Sequence, residues 1–361
     1  MHPLDRGGTH LDIPYSYLAV RLYGSGKPFD FTSISRYSFL SLEVPMNASA
    51  VLWPTLLGLL FLAAGTITYR RDFHAASSHE AFGLVMLGPT FVAAALAAFA
   101  GEHFTAAPSL AQLVPKWMPA RLFVAYFVGV AHLAAASSFV ARRYIRWSSL
   151  CLAVMFGLFV LLMDLPSAVT HPAVRIAWSL AARQAAFALG ALALFVTETR
   201  GSRPQSAKTM TAIIRISTAC VLTFYGIEHF IRPDFSPGVP GSTPTASWVP
   251  LPLALAYVTG VLLIAFGIAM FSEKYAAAGA ARAGLLMTVL TGMLYVPQFF
   301  LAADAAAHVT AINFIFDTLL FAGMMFVIST AISEATTRPI AASRIPIQPG
   351  ALAQDRAAQR V

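Results

Sequence analysis

The chain has 361 residues, of which 58% are hydrophobic and only 11% charged, with a mean hydropathy of +0.69. Soluble domains usually carry about 25% charged residues, so a water-soluble globular protein is excluded and a lipid bilayer becomes the first partner. The net charge of +8 does not indicate nucleic acid, because the basic residues are scattered over loops and form no patch interleaved with aromatics.

In chain order, residues 1–47 are polar and punctuated by Gly and Pro, with no apolar run of the signal-peptide kind, and read as a disordered segment. Met46 is an alternative start, since "MNASAVLWPTLLG" opens directly into the first apolar run. Nine runs follow, near 48–69, 81–101, 121–140, 147–166, 176–197, 211–231, 250–272, 280–301 and 310–333. Each is long enough to cross about 30 Å of hydrocarbon as a helix, and none alternates with the period of two that a barrel strand needs. The reading is an all-α, polytopic membrane bundle.

Its organisation is an extra spanning helix within 48–75, a four-helix unit over 76–199, a polar and basic linker at 200–210, a second four-helix unit over 211–335 and a basic, disordered tail at 336–361. Cys151 and Cys220 fall inside predicted spans and in no CxxC pattern, which supports neither a disulfide framework nor a thiolate metal site. Loops 1–2, 3–4, 5–6 and 7–8 hold most of the Arg and Lys, whereas the alternate loops hold mainly Lys116, Arg175 and Arg232. The positive-inside rule therefore puts the first set and the C-terminus in the cytoplasm, as in a bacterial inner-membrane protein.

The two units repeat each other. Glu102-His103-Phe104 recurs as Glu228-His229-Phe230, 126 residues on. After a five-residue lengthening of the second loop, an offset of 131 relates Trp117 and Pro119 to Trp248 and Pro250, Ala125-Tyr126 to Ala256-Tyr257, Gly129-Val130 to Gly260-Val261, and Pro166 to Pro297. Four helices per unit is an even number, so the copies lie parallel about an axis along the membrane normal.

A helix ending in Glu-His-Phe, a Pro-bearing loop, Trp-x-Pro, and then "AYFVGV" or "AYVTGV" opening the next helix resembles the DoxX and DoxX-like membrane family, here as a tandem duplication with an added helix. That family includes a subunit of a thiosulfate:quinone oxidoreductase and proteins associated with redox enzymes. The resemblance implies a four-helix fold and a quinone- or redox-associated subunit working with a partner oxidoreductase.

Several polar residues stand out against the apolar spans. Glu102 and Glu228 lie at helix C-termini, where the macrodipole disfavours a carboxylate, so a cation or metal is expected nearby. His103 and His229 are adjacent, and His171 and His308 sit in the remaining loops of the same end, flanked by Asp164 and Asp304. If the twofold gathers these ends, Glu102, His103, Glu228 and His229 make a symmetric N/O site for a divalent metal or a quinone head group, with His171 and His308 as further ligands. The other reading is a local hydrogen-bonded pair tying each loop to its helix end; the usual histidine metal spacings are absent.

His132 lies near the bilayer midplane, where an ionisable residue suggests a proton path, and its counterpart is Leu263. A neutral ring bonded to a backbone carbonyl is the alternative. Arg183 and Asp317 lie at similar depths in the fourth helix of each unit and are expected to form an ion pair across the repeat interface. No phosphate loop, GxSxG, HExxH or dinucleotide fingerprint occurs, which argues against a self-contained hydrolase or NAD-binding domain. The function read from the sequence is thus a redox- or quinone-associated membrane subunit; the alternatives are a small-solute or metal transporter and a scaffold without a ligand.

Overall fold

A computed structural model describes residues 48–77, 83–202, 204–239 and 243–337. Residues 1–47 and 338–361, on which the readings of disordered ends and of a start at Met46 rest, lie outside the described residues. Among the described residues there are nine helices long and apolar enough to span a membrane and no strand, only one isolated bridge between Phe235 and Pro244.

The helices are α1 (Ala48–Ser77), α2 (Gly83–Thr105), α3 (Arg121–Ala141), α4 (Ile145–Thr170), α5 (Arg175–Thr199), α6 (Pro204–Ile231), α7 (Pro252–Phe271), α8 (Glu273–Phe300) and α9 (Ala305–Thr337). Two of them begin well before their apolar runs. Helix α6 starts with Pro at its first position, where the missing N–H costs nothing, and takes in most of the stretch read as a linker. Helix α8 starts at Glu273, a carboxylate on the favourable end of the dipole.

Helices α2–α5 form one sequentially packed unit and α6–α9 the other. Local irregularities recur at fixed offsets. Ala120 and Leu251, both left-handed (φ 50° and 48°), open α3 and α7, 131 residues apart. Single π-turns interrupt α4 at Val160–Asp164 and α8 at Thr291–Tyr295, again 131 apart, each just before the proline that loosens the carbonyls there. Gly129 and Gly260 admit the first helix of each unit, since a methyl on either would meet the Cβ of His103 at 2.7 Å or of His229 at 2.9 Å.

The units join through α5 and α9, which cross on the pseudo-twofold axis. Along these helices the offset is 134, and residues related by it meet one another. Arg183 faces Asp317, Phe187 packs edge-on against Phe321 with centroids 6.4 Å apart, and a methyl on Gly190 would lie 2.5 Å from Met324 Sδ. The first helix of each unit leans on the last helix of the other, α2 on α9 and α6 on α5. Consequently α2 and α9 are the most enclosed, with 78% of their apolar windows buried inside the protein, against 17% for α4.

Helix α1 packs mainly on α2, with a further contact of Gly58 on Phe316 of α9, and a pair of residues explains why it has no counterpart beside α6. Gly101 of α2 lets the Pro54 backbone approach so closely that a methyl would sit 2.8 Å from it, whereas the counterpart of Gly101 in α6 is the exposed Ile227. Tyr69 of α1 donates to the Phe139 carbonyl, and Asp72 pairs with Arg142 at 2.7 Å. At the same end of the bundle, Arg215 caps α7 by donating to the carbonyls of Met270 and Phe271, complementing the helix dipole.

Candidate functional site

The polar side chains converge at the end of the bundle where α2 and α6 finish. Each Glu of the repeated motif reaches the last helix of the other unit, at equivalent positions. Glu228 is paired with Arg175 and accepts from Ser179 Oγ at 3.3 Å. Glu102 is hydrogen-bonded by Asn313, the residue 134 beyond Ser179, and its Oε1 is buried without a partner. The cation that a carboxylate at a helix C-terminus demands is therefore supplied for Glu228 by Arg175, a residue that the sequence shows only as a loop charge.

Between these points Arg183 Nη1 donates to Asp317 Oδ2 at 2.8 Å, both side chains at least 85% buried. Tyr225, fully buried, donates to the Ser179 carbonyl at 2.6 Å and packs on Phe321. The side-chain amide oxygen Oε1 of Gln184 and Asp164 Oδ2 are also buried without partners among the described residues.

Each histidine stays within its own unit. His103 Nδ1 lies 2.8 Å from the Phe99 carbonyl and His229 Nδ1 2.7 Å from the Tyr225 carbonyl, four residues back in both cases. A carbonyl only accepts, so both Nδ1 atoms carry the proton and Nε2 of each neutral ring is the acceptor. His171 is held by Thr170 and Ser167, and His308 by the Asp304 carbonyl and the Phe299 ring. The expected gathering of Glu102, His103, Glu228 and His229 around one ion is corrected. The axis runs through α5 and α9 rather than through α2 and α6, and among the described residues no three His, Cys, Asp or Glu side chains group as a metal would require.

Beyond the shared geometry the units differ. In the second, the loop after α6 folds back into the bundle, with Phe235, Ser236, Val239 and Val249 all buried. Arg232 grips Asp234 through two hydrogen bonds and lies 3.7 Å from the Phe235 ring, with Arg175 at 4.9 Å. Those bonds hold the Asp234 carboxyl below the usual carboxylate range and raise the guanidinium in turn. At the tip Gly238 takes φ 118°, which only glycine adopts without strain, and its N–H donates to His229 Nε2 at 2.9 Å. Tyr295 donates to the Pro237 carbonyl at 2.6 Å. One peptide group thus bridges His229 and Tyr295.

The first unit has a shorter loop, and its histidine meets another histidine instead. His132, 3% exposed, lies edge-on to His103 with centroids 5.3 Å apart, and Phe99 and Phe156 lie at 6.2 and 5.9 Å. Neither His132 nitrogen has a partner among the described residues. The backbone-bonded alternative for this ring does not hold.

Fold and site together define an all-α, multi-pass membrane protein with a buried polar axis and an unsatisfied imidazole in an aromatic enclosure. Compared with known proteins, the chain matches no family model, no curated protein and no solved structure.

Proposed function

We propose that the protein is a DoxX-like, quinone-associated subunit of a bacterial inner membrane, with the Glu-His-Phe end facing outward and the C-terminus in the cytoplasm. The reading of orientation rests on the loop charges, and that of family on the repeated motifs. A quinone head group enters the first unit beside His103 and His132, and a partner oxidoreductase supplies the electron carrier. The observation that carries this reading is His132: a buried imidazole with two unsatisfied nitrogens is costly, and binding a polar, planar, lipid-soluble group between Phe99 and Phe156 offsets that cost. Reversible loading from the bilayer needs no aqueous path, because quinones partition into lipid.

Photolabelling of the full-length protein in nanodiscs with an azidoquinone tests the reading. Label is expected on the α3 peptide 121–141, competed by unmodified quinone and lost in His132→Leu. Equal labelling of wild type and variant overturns it. The Arg183–Asp317 pair on the axis between the units supports a second reading, transport of a small ion or solute along the repeat interface. Uptake by proteoliposomes that is abolished in Arg183→Gln and retained in His132→Leu favours that reading over the first.

A further inference from the structure

The two glutamates of the repeated motif stand in equivalent places but in unequal charge environments. In the second unit Glu228 faces two residues of α5 that lie one helical turn apart, Ser179 and the cation Arg175. In the first unit the matching face of α9 offers Asn313 in place of Ser179. One turn before it, by the same offset of 134, stands Val309 in place of Arg175. Asn313 bonds the Glu102 carboxyl, whose Oε1 is enclosed and has no partner among the described residues. The repeat thus keeps the acid twice and the cation once.

The helices around Glu102 do not make good the difference. Helix α2 packs on α1, α3 and α9. The charged residues of α1, Arg70, Arg71 and Asp72, are at the far end from Pro54, which touches Gly101. On α3, Arg121 lies at the first turn and His132 meets His103, and neither helix sets a cation against Glu102 among the described residues. The charge that does reach Glu102 has the same sign: Asp317, one turn beyond Asn313 on α9, is within electrostatic range. Its partner Arg183, at 2.8 Å, is also within range of Asp164, so that guanidinium already serves two carboxyls. A carboxylate in a bilayer that faces a like charge and lacks a cation is costly, and the group is neutralised instead.

We propose that Glu102 is a proton-binding site, its Oε1 holding at neutral pH an exchangeable proton where the second unit has the guanidinium of Arg175. A proton needs no cavity. The residue as a whole is partly exposed, which gives the carboxyl a route to water at the end of α2. The proton adds to Oε1 from water and returns to water, and no electrons change hands. On release the carboxylate is within range of Asp317, so the charge at the end of α2 is felt where α5 and α9 are ion-paired. This site goes beyond the quinone reading, because it uses neither His132 nor an organic ligand.

Infrared difference spectroscopy of the full-length protein in phosphatidylethanolamine/phosphatidylglycerol nanodiscs, between acid and alkaline buffer, reads a protonated carboxyl through its C=O stretch. Wild type is expected to show that band at neutral pH, with the ratio of acid to carboxylate falling about tenfold per pH unit. Glu102→Gln, the neutral isostere, is expected to remove one carboxyl from the band. Val309→Arg, which supplies the cation that the repeat lacks, is expected to remove it with Glu102 still present, while His132→Leu leaves it in place. An undiminished band in Glu102→Gln overturns the proposal, as does one that persists in folded Val309→Arg. Bleaching of the band by sodium at constant pH gives the site to a metal cation and overturns it too.

Discussion

Replacing His132 by leucine, the residue that the second unit carries at the same position, separates cost from use. His132 is 3% exposed and its two nitrogens have no partner among the described residues, while Leu263 is fully buried at the equivalent depth. A buried, unsatisfied polar group costs about 1–3 kcal/mol, and leucine has nearly the volume of histidine, so no large cavity or overpacking offsets the gain. The ligand-free variant is thus expected to be more stable than wild type by about 1–3 kcal/mol. In delipidated protein this appears as a melting temperature raised by a few degrees in a thermal scan, with photolabelling lost in parallel. A His132→Leu protein that melts below the ligand-free wild type refutes the reasoning, because the imidazole would then be satisfied in the resting state.

Arg183→Leu or Asp317→Leu alone leaves a buried charge and is expected to cost about 3–5 kcal/mol, and the double leucine variant recovers most of that loss, as read by thermal stability in the same nanodiscs. Gly101→Ile places the second unit's residue under Pro54; the overpacking costs about 1–3 kcal/mol and should loosen α1, seen as faster tryptic cleavage at the exposed Arg70 and Arg71, while Ile227→Gly leaves that cleavage unchanged. The Asp234 carboxyl lies below its ordinary range when folded, so its contribution is present at neutral pH and is lost as the pH falls through the depressed value. Both members of that pair are about half exposed, so the effect is small: the amide protection factors of residues 235–239, with the intrinsic pH dependence of exchange divided out, should be flat from about pH 8 to 5 and fall only below about pH 4.

The nine helices were legible because an uninterrupted apolar run has one interpretation in a bilayer. Their ends were less so, since the charged and exposed Lys208 and Lys274 lie within the opening turns of α6 and α8, ahead of the apolar runs. Arg175 illustrates what could have been found. A carboxylate at a helix C-terminus favours a nearby cation, and Lys116, Arg175 and Arg232 were the main ones on the loops of that end. Which of them folds back is decided by α5 packing on α6, a tertiary fact. The opposite charges at 183 and 317 were readable as a pair, but the choice of axis was not. Side-chain spelling alone cannot say which of four helices in each copy meets its twin, and assigning α2 and α6 to the axis produced the metal cluster that the packing disperses. The unsatisfied nitrogens of His132 are likewise a property of its neighbours, invisible until Phe99, His103 and Phe156 are in place.

Those neighbours also explain why a duplicated unit would retain two unlike halves. A free-standing unit with an unsatisfied histidine is penalised in stability, and one with its pocket closed by a loop has no site. Fused in one chain, the halves divide these demands. The loop that closes the second unit is the one lengthened by five residues, and its buried Phe235, Ser236 and Val239 tie α6 and α8 into a rigid support. That support reaches the first unit through Arg175 and Tyr225, both gripping α5 against α6, and through Glu102 and Asn313 joining α2 to α9. The first unit is thus braced by the second as well as by its own packing, which is how a bundle of this size tolerates an imidazole that is buried and unsatisfied.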